Sequence, residues 1–161
     1  MKNAKDTFYV TLRDRLAALN PRRTLVLRGQ MRPGMMVVEN ELVTDELPAE
    51  TFLLRWTELQ MDTLQPLPLA MMRCEIEYFS DGSAESAGMD RGRRLTEMDG
   101  ELFRMLAPQT AAKKKFDATG NSALQSAIFW SDAVFENVSV NAERIQRVAR
   151  VDVYSYEEPA E

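Results

Sequence analysis

Histidine is absent from this chain of 161 residues, and cysteine occurs only once, at Cys74. The absence of histidine excludes Ser-His-Asp and Cys-His catalysis and most zinc sites. A single cysteine cannot form an intramolecular disulfide, which fits a reducing cytoplasm. Cys74 lies inside an alternating apolar pattern, so we interpret it as a small buried hydrophobic residue and not as a nucleophile.

Long apolar runs and phosphate-binding loops are also absent. No stretch approaches the roughly 18 apolar residues that a membrane span needs, and the first residues lack the apolar core of a signal peptide. The glycines have the wrong spacing for a nucleotide-binding loop. The net charge of −5 disfavours general nucleic-acid binding, because phosphate neutralisation needs an excess of lysine and arginine. We therefore expect no membrane contact, no nucleic-acid specificity, no cofactor and no metal.

The apolar residues that are present make up 45% of the chain, enough for the core of one domain spanning 1–161. Residues 69–79 alternate strongly, with Ala70, Met72, Cys74, Ile76 and Tyr78 on one face. This period of two predicts an antiparallel strand with one face on a core.

Helical periodicity flanks that strand on both sides. Apolar residues recur at helical spacing over 5–20 and again over 89–106, while 24–28, 35–39, 51–60, 127–138 and 145–156 are typical of strands. Strands and helices do not alternate strictly. The order predicts an α+β fold: an antiparallel or mixed sheet with two amphipathic helices packed on one face, joined by long polar loops.

Several segments are predicted to lack regular structure. Glycines and a proline indicate a turn over 29–34, and residues 109–125 are polar enough to predict a long mobile loop. The acidic tail 157–161 is expected to be disordered. In the strand over 51–60, simple alternation places Leu53 and Leu59 on the same face.

Charged residues offer few candidates for chemistry. Glu75 and Glu77 share a strand face with Arg73, and Arg147 or Arg150 could lie opposite. Cross-strand ion pairs on a solvated face explain this pattern better than an acid–base pair of carboxylates. We predict no catalytic residue and no enzymatic activity.

Nine residues are candidates for contacts with other subunits or partners. They are Arg32, Met35, Met36, Arg91, Arg93, Arg94, Lys113, Lys114 and Lys115. The lysines form the only dense positive run. They could contact phosphate or an acidic partner, or belong to a loop that orders on neighbouring subunits, but a solvated mobile loop is the simpler explanation. The three arginines begin a helix, where positive charge is unfavourable, so either an acidic partner or local pairing with Asp90, Glu97 or Glu85 is expected. The methionines suit an adaptable surface, although core filling is their default role.

The order of the elements resembles the tail terminator family of tailed bacteriophages, the minor tail protein U-like proteins. The matching segments are the helices at 6–19 and 89–106, the central strand at 69–79 and the closing strands at 128–138 and 148–154. The resemblance implies a structural virion protein of the tail or neck, assembled in the host cytoplasm. Such proteins form rings, commonly hexameric, that cap the tail tube and join it to the head, with tail-tube and head-connector proteins as partners.

Two alternatives to that function stay open. One is another neck, tail-completion or injection-system component, since the 29–60 region and the 109–125 loop depart from the family. The other is a small binding module that holds a ligand or protein partner, for which a deep apolar pocket near Trp56 or Trp130 would be the sign.

Overall fold

The computed structural model describes residues 1–41, 46–64, 66–107, 113–117, 119–120 and 123–157. The helices are α1 (Lys2–Leu19), α2 (Val38–Glu41) and α3 (Arg91–Met105). The strands are β1 (Thr24–Leu27), β2 (Gln30–Pro33), β3 (Met35–Val37), β4 (Phe52–Asp62), β5 (Leu69–Ser80), β6 (Lys113–Phe116), β7 (Ala123–Trp130), β8 (Val134–Phe135), β9 (Ser139–Asn141) and β10 (Arg144–Tyr156). Within these residues, no helix has the length and apolarity to cross a membrane.

One large sheet dominates the fold. Its strands follow the order β3-β4-β5-β10-β7-β6, and β8 and β9 also pair with β10. The β3–β4 pair is parallel and every other pair in this sheet is antiparallel. Strands β1 and β2 form a separate antiparallel hairpin. The predicted α+β class is therefore confirmed.

Both long helices pack on the same face of this sheet, as predicted. The α1 residues Ala4, Phe8, Leu12 and Leu16 recur every four positions and are fully buried. On α3 the buried residues are Leu95, Met98, Leu102 and Met105. They meet the apolar face of β4, β5 and β10 in one continuous core. Burial of each of these phenylalanine, leucine and methionine side chains contributes about 1.5–3 kcal/mol to folding.

Among the described residues, the buried apolar residues on the opposite face of the sheet form one small cluster. Leu25 of the β1–β2 hairpin covers Met36, Leu53 and Phe79 there. Farther along the strands this face carries charged residues in cross-strand pairs. The two faces therefore differ sharply, since one is a core and the other is largely polar.

A bulge between Trp56 and Glu58 changes the facing of the second half of β4. Because a bulge adds one residue to one strand, every later side chain moves to the other face. Leu59 pairs with Met72 on the helix-bearing side of the sheet. The prediction that Leu59 shares a face with Leu53 was wrong for this reason.

Two predicted loops contain strands. Residues Gln30–Pro33 form β2 instead of a turn, because they pair with β1. Within the predicted loop 109–125, Lys113–Phe116 form β6 and Ala123 begins β7. Of the predicted disordered tail, Glu157 accepts hydrogen bonds from the Met1 amino group at 2.9 and 2.8 Å. Residues 158–161, like 108–112, 118, 121 and 122, lie outside the described part of the chain.

Candidate interaction surface

Met35 and Met36 are fully buried, so the prediction that they form a contact surface was wrong. Both faces of β3 are covered by other parts of the protein. Met35 packs in the main core, and Met36 belongs to the small cluster beneath the β1–β2 hairpin. The two adjacent methionines of β3 therefore fill the apolar clusters on the two faces of the sheet, one on each face.

Arg32 makes its contacts within the same chain. Its Nη2 donates hydrogen bonds to the Tyr9 hydroxyl at 3.0 Å and to the Met35 carbonyl at 3.3 Å, and it pairs with Glu41. Its side chain is 27% exposed. These contacts tie β2 to α1 and α2, and they engage Nη2 of the guanidinium that was predicted to meet a partner.

The three arginines at the start of α3 find partners within the chain. Arg94 Nε lies 2.8 Å from Glu50 Oε1, and Arg91 donates to the Ala142 carbonyl at 2.9 Å. Arg93 lies 3.8 Å from Asp90 and keeps 74% of its side chain exposed. Local pairing therefore accounts for Arg91 and Arg94, and Arg93 is the most exposed of the three.

Asp90 explains how α3 tolerates this positive start. Its Oδ1 accepts hydrogen bonds from the Ser86 hydroxyl at 2.6 Å and the Ser83 amide at 2.7 Å. These bonds hold the pKa of the Asp90 carboxyl well below its usual range. The ionised carboxylate lies at the helix start, where negative charge stabilises the helix dipole.

The lysine run divides between surface and interior because it belongs to a strand. Lys113 and Lys114 are exposed, whereas Lys115 is fully buried. Lys115 Nζ donates to Ser155 Oγ at 3.0 Å and to the Tyr156 carbonyl at 2.7 Å. The prediction of three solvent-facing loop lysines was wrong for Lys115, which ties β6 to the end of β10.

The hairpin that joins β4 to β5 carries an apolar surface that sequence analysis missed. We call residues 58–68 the β4–β5 arm; Gln65 is the one residue in it outside the described part. Four large apolar side chains on the arm are exposed: Leu59 by 53%, Met61 by 41%, Leu64 by 95% and Leu67 by 39%. The available signal was a leucine pair beside Pro66 and Pro68, apolar residues in a turn-forming context.

The arm also has an open sheet edge. Strand β3 pairs only with Phe52–Leu54 of β4, and Glu39 Oε1 then accepts the Trp56 amide at 2.8 Å. Beyond that point, no strand in the described part of the chain pairs with the outer side of Glu58–Asp62. An open edge with exposed apolar side chains is prone to pair with another chain.

The charged face of the sheet consists of ion pairs. Arg73 lies 2.9 Å from Asp152 and 3.0 Å from Glu58, and Arg150 lies 3.6 Å from Glu75. Arg150 also pairs with Glu136. The expectation of cross-strand pairing is met for Arg150. Arg147 instead lies on the other face, where its Nε donates to Asp99 at 2.8 Å.

Two further polar clusters join α3 to the rest of the fold. Tyr78 donates its hydroxyl proton to Asp99 at 2.5 Å, and burial together with this bond raises the pKa of Tyr78. Arg23, only 7% exposed, lies between Glu101 and Glu50. Each cluster is saturated by its own hydrogen bonds, so it serves to fix the position of α3.

No constellation for catalysis or metal binding emerges from the described residues. No group of three or more histidine, cysteine, aspartate or glutamate residues in them could hold a metal ion. Cys74 is fully buried, and burial raises the pKa of its thiol, which keeps it protonated and unreactive. The predicted role of Cys74 as a small core residue agrees with this position.

One cavity lies beside Trp56. It has a volume of about 490 Å³, and its walls come from α1, β3, α2 and β4. Lys5 Nζ lies 5.3 Å from the centre of the Trp56 ring, a cation–π contact at the cavity wall. Leu59 of the arm lines the same cavity, so the cavity and the arm form one continuous surface.

No protein-family model matches this chain, and no curated protein matches it.

Proposed function

We propose that this chain is a structural virion protein of the tail-terminator type, which closes into a ring through head-to-tail contacts between copies. In the proposed role, the ring caps a phage or prophage tail tube and joins it to the head. The size, the α+β architecture and the element order support the proposal.

The observation that carries the proposal is the β4–β5 arm. Leu64 exposes 95% of its side chain, and Leu59, Met61 and Leu67 expose between 39% and 53%. Exposed apolar side chains beside an open strand edge make a free monomer prone to aggregate. Assembly into an oligomer would bury them. The arm lies at one side of the sheet, so contacts through it to a different surface repeat around an axis and form a ring when the rotation closes.

The proposal is tested by mass photometry of the full chain at micromolar concentration. The same measurement is repeated in the presence of assembled phage tail tubes. A closed oligomer, alone or on the tube ends, is expected. A chain that stays monomeric under both conditions and does not bind the tube ends would overturn the proposal.

The cavity beside Trp56 supports a second candidate, a small ligand-binding module. Its volume of about 490 Å³ falls within the usual range for ligand pockets, and Val37, Trp56 and Leu59 provide apolar walls. The test is the binding of an apolar anionic dye, measured by fluorescence for the wild type and for Trp56→Ala. Saturable binding that Trp56→Ala abolishes would favour this candidate. Equal fluorescence in both proteins would exclude it.

A further inference from the structure

The charges on the arm specify what kind of surface can cover it. Side chains alternate along the open edge of β4: Glu58, Gln60 and Asp62 pair with residues on the charged side of β5, and Leu59 and Met61 lie on the other side. An incoming surface therefore meets two carboxylates and two apolar side chains together. Glu58 already has one partner, Arg73 at 3.0 Å, and still exposes 47% of its side chain.

Pairing between two arms of the same kind is disfavoured. When two antiparallel copies of Glu58–Asp62 overlap fully, Gln60 meets Gln60 and each Glu58 lies opposite the Asp62 of the other copy. Like charges directly opposite each other in a strand pair are destabilising. Like-charge repulsion therefore disfavours a two-fold dimer in which two arm edges pair. A positively charged surface is the complementary partner for the arm.

Lys113 and Lys114 provide a positive surface of this kind on the same chain. Both are exposed at the start of β6, which is the last strand at the other end of the sheet order. The far end of β6 is less accessible, since the Phe116 amide donates to Thr7 of α1 at 3.2 Å. Among the described residues of this edge, Lys113 and Lys114 are therefore the accessible ones.

One copy cannot bring these two surfaces together. Strands β5, β10 and β7 lie between β4 and β6, which corresponds to roughly 19 Å across the sheet. A contact between them must join two copies. Because the two surfaces differ, each copy can offer its arm to one neighbour and its lysines to the other.

We infer that the acidic, apolar arm of one copy docks on Lys113 and Lys114 of the next copy, in a head-to-tail contact that repeats around the ring. This inference rests on the proposed function and adds which two surfaces meet. Glu58 and Asp62 approach the lysine side chains, while Leu59, Met61 and Leu64 become buried against the neighbour. Charge complementarity sets the direction of the contact, and apolar burial supplies most of its stability.

Charge reversal tests the inference in the full-length chain. Glu58→Lys with Asp62→Lys makes both surfaces positive, and Lys113→Glu with Lys114→Glu makes both negative. Each double variant should raise the concentration needed for half-assembly about tenfold or more at low ionic strength, measured by sedimentation velocity. Added salt should reduce this loss, because screening weakens the repulsion.

The decisive variant combines all four reversals in one chain. It restores opposite charges at every contact and returns the net charge to −5. We expect assembly close to that of the wild type. The matched control is Glu85→Lys with Glu143→Lys, which changes the same charge at two exposed positions outside the arm and should assemble normally.

The outcomes separate this inference from the proposed function. A wild type that forms a ring and reversal variants that assemble equally well would overturn the inference and leave the proposed function intact. Failure of the combined variant to recover assembly, although its melting temperature matches that of the wild type, would also overturn it. A wild type that forms no ring, alone or on tail tubes, would overturn both.

Discussion

The core on the helix-bearing face of the sheet and the β4–β5 arm both contain large apolar residues, but these are buried in the core and exposed on the arm. On the helix-bearing face, Phe8, Leu12 and Met72 are fully buried. On the arm, Leu59, Met61 and Leu64 expose 41–95% of their side chains although β4 runs through both regions. The difference indicates that the first set stabilises the fold, whereas the second set is available for contacts between chains.

The largest effect is expected from Phe8→Ala. Phe8 is fully buried and packs edge-to-face on Trp56 and Trp130, with ring centres 5.7 and 5.3 Å away. Its loss should lower the free energy of unfolding by about 3–5 kcal/mol, because it leaves a cavity in the core. Chemical denaturation measures the change. Leu64→Ala is the control, and a comparable loss there would show that the arm also stabilises the fold.

Lys115→Ala and Lys114→Ala compare a buried and an exposed lysine within strand β6. Lys115→Ala removes the Nζ donor from Ser155 Oγ and from the Tyr156 carbonyl, which lie at 3.0 and 2.7 Å. Hydrogen bonds from a charged donor contribute about 1.5–3 kcal/mol, so their loss should lower the free energy of unfolding by about that amount, although the Ser155 and Ser126 hydroxyls still donate to the Tyr156 carbonyl. Lys114→Ala, at the exposed neighbouring position, should change it by less than about 0.5 kcal/mol. Equal effects from the two variants would contradict the assignment of Lys115 to the interior.

These two regions also show how far sequence reasoning reaches. The alternation in β5 and β10 and the spacing of Leu95, Met98 and Leu102 are local patterns, so the fold class could be predicted from them. The burial of Lys115 could not, because it depends on pairing between β6 and β7 across a polar connection. A loop was predicted where the chain forms an edge strand.

The candidate surface was harder to predict than the fold. Met35 and Met36 were chosen for their residue type, but the β1–β2 hairpin and the helices cover them from both sides. Leu59 was assigned to the wrong face because the bulge after Trp56 has no clear sequence signal. Exposure of an apolar residue depends on the tertiary structure, so the exposed apolar residues of the arm could not be predicted from the local sequence.

A pH-dependent effect is expected at the junction between β5 and α3. Partial burial opposes ionisation of Glu50, but hydrogen bonds from Arg94 and Ser80 outweigh it and lower the pKa of this carboxyl. The stabilisation is then present above the unfolded pKa of about 4.3 and is lost as the pH falls through the lower folded value. Glu50→Gln should be less stable than the wild type at pH 7, and the difference should narrow as the pH falls from about 4.3 toward pH 3.

Thermal melts of both proteins across this pH range measure that difference. Glu85→Gln is the matched control, because Glu85 is exposed in the loop before α3. A stability gap for Glu50→Gln that stays constant from pH 7 to pH 3 would contradict the role of the ionised carboxylate.

The smallest effect is expected on the charged face of the sheet. Arg150 is 47% exposed and pairs with Glu75 at 3.6 Å and with Glu136. Exposed ion pairs contribute little, so Arg150→Ala should lower the free energy of unfolding by no more than about 1 kcal/mol. Urea denaturation measures it. A loss as large as that of Phe8→Ala would mean that this face is part of the stabilising core.

The central claim is that the arm stabilises assembly and not the fold. Native mass spectrometry of the wild type and of Leu59→Ser with Leu64→Ser, at equal concentration, tests it most directly. The account predicts one closed oligomer for the wild type and monomers for the variant, although the two proteins melt within a few degrees of each other. Closed oligomers of the same mass in both proteins would contradict it.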